Sequence, residues 1–67
     1  MSVAKVIEIT STSKKGFDDA IESGIKRASK TMRGIDAAWV ADQELSVKNG
    51  RILEYKVRLR LTFTLDG

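Results

Sequence analysis

Cysteine, histidine and proline are absent from the 67 residues of this chain. Without thiols and imidazoles there are no disulfides, and no zinc site built on thiolate or imidazole. The same absence removes the usual partners of covalent catalysis. A nucleophile would have to be Ser, Thr, Lys or a carboxylate activated by burial. The five glycines form no phosphate-binding loop, and no catalytic constellation is present, so the chain reads as a non-enzyme. Long apolar runs are also missing. The segment Met1–Thr10 carries Lys5 and Glu8, which fits neither a signal peptide nor a membrane span. With no linker, repeat or low-complexity stretch, the expectation is one soluble, cytoplasmic domain over residues 1–67.

A chain of 67 residues lies near the lower limit for a self-sufficient core. Small domains draw on disulfides, a structural metal or oligomerisation, and oligomerisation is the remedy left here. The net charge of +3 is only a weak basic bias and gives no nucleic-acid signal. Neither a nucleic-acid nor a membrane partner is expected.

What is present is a long alternation. Leu53, Tyr55, Val57, Leu59, Leu61, Phe63 and Leu65 alternate with Glu54, Lys56, Arg58, Arg60, Thr62 and Thr64. A period of two over Ile52–Leu65 predicts one strand with an apolar and a mostly basic face. At about 3.3 Å per residue it reaches roughly 40 Å, far beyond an ordinary strand. No other element is long enough to cover it, so its ends are expected to be covered by other copies of the chain.

Residues 3–10 (VAKVIEIT) read as a first strand, followed by a loop over residues 11–16. From Phe17 the period changes. Phe17, Ala20, Ile21, Gly24, Ile25, Ala28, Met32 and Ile35 fall at helical spacing, with acids in the first turns and bases in the last. The helix is expected to run about 17 residues, roughly 25 Å, with Gly16 or Ser13 as N-cap and Gly34 at C′. Residues 37–47 then form a strand, and Asn49-Gly50 is a two-residue hairpin turn. The order is β-α-β-β.

That turn sets Ala38 against Leu61 and Val40 against Leu59, beneath the helix. On the other face it sets Trp39 by Arg60, Ala41 by Arg58 and Gln43 by Lys56. Nearer the turn the match weakens, because Asp42 and Glu44 fall opposite Val57 and Tyr55. Either a bulge intervenes or those acids lie beyond the helix, against neighbouring subunits.

Trp39, the only indole, is thus placed on the polar face of the sheet. One reading makes it a stacking platform for a planar anionic ligand, with Gln43, Lys56, Arg58 and Arg60 supplying donors. The other packs it at a subunit contact, against Arg60 as a cation–π pair. Asp42 and Glu44, two apart on a strand, form a candidate site for a hard divalent cation, or are simply solvated or ion-paired acids. The basic stripe Lys56-Arg58-Arg60 reads as a solvated face or a channel lining.

The runs KVIEITSTSKKGFDDAI and IKRASKTMRGID, the Asn-Gly hairpin, and Tyr55-Lys56-Val57 leading into Leu61-Thr62-Phe63 resemble the dodecins over nearly the whole chain. The resemblance implies a βαββ subunit whose three-stranded antiparallel sheet wraps one helix, and twelve copies closing into a hollow shell. It also implies a flavin, FMN or riboflavin, stacked on a Trp that follows the residue matching Asp36. Here that position is Ala37. A Gln that contacts the flavin ring is replaced by Lys56, and a usual Arg by Glu44. The chain therefore looks closer to members lacking the stacking Trp, which are linked to calcium. The function expected is a shell that sequesters or buffers a small ligand, with a flavin-free structural or calcium-associated shell as the alternative.

Overall fold

The computed structural model describes residues 3–65. Four elements follow in the expected order: β1 (Val3–Ser13), α1 (Phe17–Thr31), β2 (Ile35–Lys48) and β3 (Arg51–Leu65). The sheet is antiparallel with order β1-β3-β2, so the longest strand lies in the centre. Along its longest axis the chain extends 52 Å. The fold is α+β: one three-stranded sheet carrying one helix.

The core forms where α1 lies on the alternating strand. Val57, Leu59 and Leu61 are fully buried, Phe63 nearly so, and Ala20 and Ala28 of α1 meet them. Each large apolar side chain removed from water contributes about 1.5–3 kcal/mol. The helix comes close because Gly24 has no side chain. A Cβ there would lie 2.8 Å from Ser11 Cβ and 3.4 Å from Leu59 Cδ1. At the N-terminal end of the helix, Phe17 packs edge-on against Tyr55, with ring centroids 5.1 Å apart.

Several expected boundaries are corrected. β1 continues through Ser11, Thr12 and Ser13, which pair with Val57, Lys56 and Tyr55. Their polarity suggested a loop, but the long central strand offers them a ladder and the ladder wins. Ser13 is not the N-cap. Its hydroxyl accepts the Lys15 N–H at 2.9 Å and donates to Asp19 at 2.6 Å, while extended Gly16 caps the helix through its carbonyl. The helix ends at Thr31, not at the residue before Gly34. Met32 is already extended and donates its N–H to Ala28 O at 3.0 Å. Half-buried Met32 packs on the core cluster. Gly34 (φ +82°) instead turns the chain into β2.

The hairpin register is the largest correction. Ala38↔Leu61, Trp39↔Arg60 and Val40↔Leu59 stand as expected. Then β2 takes an extra residue at Ala41, so that Asp42, not Ala41, faces Arg58, and Gln43 faces Val57 instead of Lys56. A compensating extra residue, Leu53 on β3, restores the register before the turn, where Lys48 pairs with Arg51. A third irregularity falls at Asp36. Of the two readings left open for the acids, the bulge is the one adopted. Pairing Asp42 with Arg58 and Glu44 with Lys56 removes two carboxylates from an apolar face.

The helix packs on β1 and β3 and hardly reaches β2. Ala38 is consequently exposed and Val40 only half-buried. Past the end of the helix, the hairpin leaves Leu45, Val47, Ile52 and Leu53 in contact with solvent, and Val3 and Leu65 are exposed at the opposite end.

Candidate functional site

On the sheet face away from α1, the bulge at Ala41 creates an ordered ladder. Alternation along β3 turns Lys56, Arg58 and Arg60 to this face, and each meets one partner on β1 and one on β2. The rows are Thr12–Lys56–Glu44, Thr10–Arg58–Asp42 and Glu8–Arg60–Trp39. A fourth row, Val6–Thr62–Ala37, is small and uncharged. Because Ala41 is extra, Trp39 and Asp42 share a face although three residues apart.

Each cation of the stripe has an acidic partner. Arg58 Nη1 donates to Asp42 Oδ2 at 2.7 Å, and its Nε lies 3.8 Å from Glu8 Oε2. Arg60 Nε donates to Glu8 Oε1 at 3.4 Å. Lys56 Nζ lies 3.5 Å from Glu44 Oε1. These side chains are roughly half exposed, so each pair contributes about 0–1 kcal/mol. Their larger effect is on charge. The row read as a basic stripe is a balanced array of three cations and three carboxylates.

Trp39 is 65% exposed and holds the Arg60 guanidinium carbon 5.5 Å from its ring centroid. The cation–π contact considered from the sequence is therefore formed. Of the other candidates, Arg58 lies one row away and Lys56 two. Gln43 is not brought together with them; it sits opposite Val57 on the helix side. Asp42 and Glu44 share the outer face, each tied to a cation, and among the described residues no three potential metal ligands of the carboxylate, imidazole or thiolate type converge. The sequence reading missed Glu8, which bridges Arg58 and Arg60 from the other edge of the sheet. Its only trace was an acid interrupting the apolar run of β1. Thr64 also donates its hydroxyl to Asp36, tying the start of β2 to the end of β3.

The chain is thus a βαββ unit with an overlong central strand, a partly uncovered apolar hairpin and a Trp on the outer sheet face. The comparisons define it further. The sequence profile of the family described as Dodecin matches residues 3–66. The dodecin of Thermus thermophilus is 33% identical over 64 residues, covering 96% of this chain and 93% of that protein. The calcium dodecin of Mycobacterium tuberculosis is 31% identical over 65 residues, covering 97% and 92%. The solved dodecin of Streptomyces coelicolor superposes with a TM-score of 0.90 at 30% identity, covering 98% and 94%. This chain belongs to the dodecin family. The two curated relatives match almost equally well, so their identities do not place the chain nearer to the calcium dodecin than to the other. No helix among the described residues is long and apolar enough to cross a membrane.

Proposed function

We propose that this chain is the subunit of a closed, twelve-copy shell that sequesters a small planar ligand on the outer sheet face, at Trp39, without catalysing a reaction. The observation that carries the reading is the position of Trp39. It is the only indole in the chain, it stands largely exposed, and it is flanked by Arg60 and by the small residues Ala37 and Thr62. A large aromatic beside a shallow, small-residue floor suits a flat ring system. Ala37 occupies the position at which flavin-binding dodecins carry their stacking Trp, so Trp39 presents its ring about two residues, or roughly 7 Å, further along the strand. The ligand class this reading favours is planar with little net charge, because the neighbouring cations are already paired.

Self-association is supported by the hairpin. Leu45, Val47, Ile52 and Leu53 are exposed beyond the reach of the helix, and no disulfide supplements so small a core. The balanced outer face gives nucleic acid and anionic membranes no net cationic patch there, and we place the shell in the cytoplasm. A calcium-associated shell is the second reading. It is favoured by the relative named calcium dodecin and by Asp42 and Glu44 sharing one face. Titrating the purified assembly with riboflavin while following Trp39 fluorescence tests the first reading. Saturable quenching supports it, and unchanged emission up to the solubility limit of riboflavin rejects it. Calcium binding by calorimetry that disappears in Asp42→Asn/Glu44→Gln would support the second.

A further inference from the structure

We propose that Glu8 is a positioning residue for the Trp39 platform: by holding the Arg60 guanidinium against one side of the indole, it leaves a single face for a ligand. This rests on the reading of Trp39 as a ligand platform. Arg60 lies in the row between Glu8 and Trp39, with β1 on one side and β2 on the other. Its Nε donates to Glu8 Oε1 at 3.4 Å, while its guanidinium carbon stands 5.5 Å from the indole centroid. A half-exposed arginine has many rotamers, and ordering it costs entropy. The carboxylate on one flank and the ring on the other select one of them. Glu8 is itself held by a second cation, since its Oε2 lies 3.8 Å from Arg58 Nε, and Arg58 is anchored in turn by Asp42 at 2.7 Å. The chain of contacts Asp42–Arg58–Glu8–Arg60–Trp39 crosses all three strands and ends on the indole.

Two consequences follow for binding. With one indole face taken by Arg60, a planar ligand stacks on the other, and each subunit takes one molecule. The ring also meets a preorganised indole, so less side-chain freedom is lost on binding. Removing the charge of Glu8 frees Arg60 to leave the ring.

Glu8→Gln in the assembled protein is the test, with Thr10→Ala as control because Thr10 lies on the same strand and face. Two readouts are needed. The first uses no ligand: in protein carrying 15N-labelled arginine, the Arg60 Nε–H resonance should show an indole ring-current shift. That shift should be lost in Glu8→Gln and Trp39→Leu but kept in Thr10→Ala. The second is riboflavin affinity, expected to fall about threefold to tenfold in Glu8→Gln, the range of one exposed cation–π contact. If Glu8→Gln fails to assemble, Arg60→Lys serves for the affinity measurement. It should show a similar fall, because lysine keeps the charge but lacks the Nε donor.

An Arg60 resonance without a ring-current shift in the wild type, or one unchanged in Glu8→Gln, overturns the positioning role whatever riboflavin does. A normal Glu8 effect on Arg60 with no riboflavin binding to the wild type upholds the positioning and rejects the platform. Unchanged affinity in both Glu8→Gln and Arg60→Lys, with riboflavin bound, rejects the single-face argument.

Discussion

Asp42 and Arg58 face each other across β2 and β3, joined by a 2.7 Å hydrogen bond, and they do so only because β2 carries Ala41 as an extra residue. One inserted residue thus turns a strand's acids from the helix side to the outer face and supplies the anchor for the arginine ladder. Deleting Ala41 removes the one residue of this stretch without a partner on β3 and should leave Trp39 opposite Arg60 and Asp42 opposite Arg58. Near-ultraviolet circular dichroism of the single Trp should therefore be retained. A changed Trp signal would show that the bulge itself positions the indole.

Gly24 should be intolerant of a side chain. Alanine would gain about 1 kcal/mol in helix propensity. Its Cβ, however, would lie 2.8 Å from Ser11 Cβ, and overpacking of this kind costs about 1–3 kcal/mol. Gly24→Ala is therefore expected to unfold at a lower denaturant concentration than the wild type. A higher midpoint would show that α1 and β1 separate freely.

The exposed end of the hairpin should be where copies meet. Leu53→Lys places a charge on the bulged residue without touching the core of Val57, Leu59 and Leu61. The expected result is a smaller particle by light scattering, with the subunit still folded by circular dichroism. A wild-type chain that sediments as a folded monomer at micromolar concentration would contradict the assembly itself.

Riboflavin is expected to bind more weakly than in relatives with the stacking Trp that the resemblance implies, since Ala37 and Lys56 stand at the positions that the resemblance matches to its two contacts. Losing one stacked aromatic typically costs on the order of 1–3 kcal/mol, about tenfold to a hundredfold in affinity. Submicromolar binding by fluorescence quenching would show that Trp39 compensates fully from its shifted place.

Trp39 is 65% exposed in the isolated subunit, and the assembled shell is expected to cover much of that surface. Emission in the intact particle should be blue-shifted, and resistant to iodide once a ligand occupies the open face. Trp39→Ala should weaken assembly or empty the ligand site while leaving the core intact. Water-like emission with free iodide quenching would place the indole in open solvent.

The amino-acid sequence by itself determined the element order, the turn at Asn49-Gly50, the buried row Val57, Leu59, Leu61 and Phe63, and the Trp39–Arg60 pairing. Each follows from a local rule: a period of two, a period near 3.6, or a turn dipeptide that fixes register over the residues flanking it. Only the tertiary structure decided the rest. Ser11, Thr12 and Ser13 are strand because β3 is long enough to pair with them. The helix stops at Thr31 as Met32 leaves it, half-buried against the core. Asp42 and Glu44 change face because burying two carboxylates costs more than inserting Ala41 and Leu53 as bulges. Glu8 joins the site from 52 residues away in the chain, a proximity that no local pattern encodes and that arises only when β1 pairs with the far side of β3.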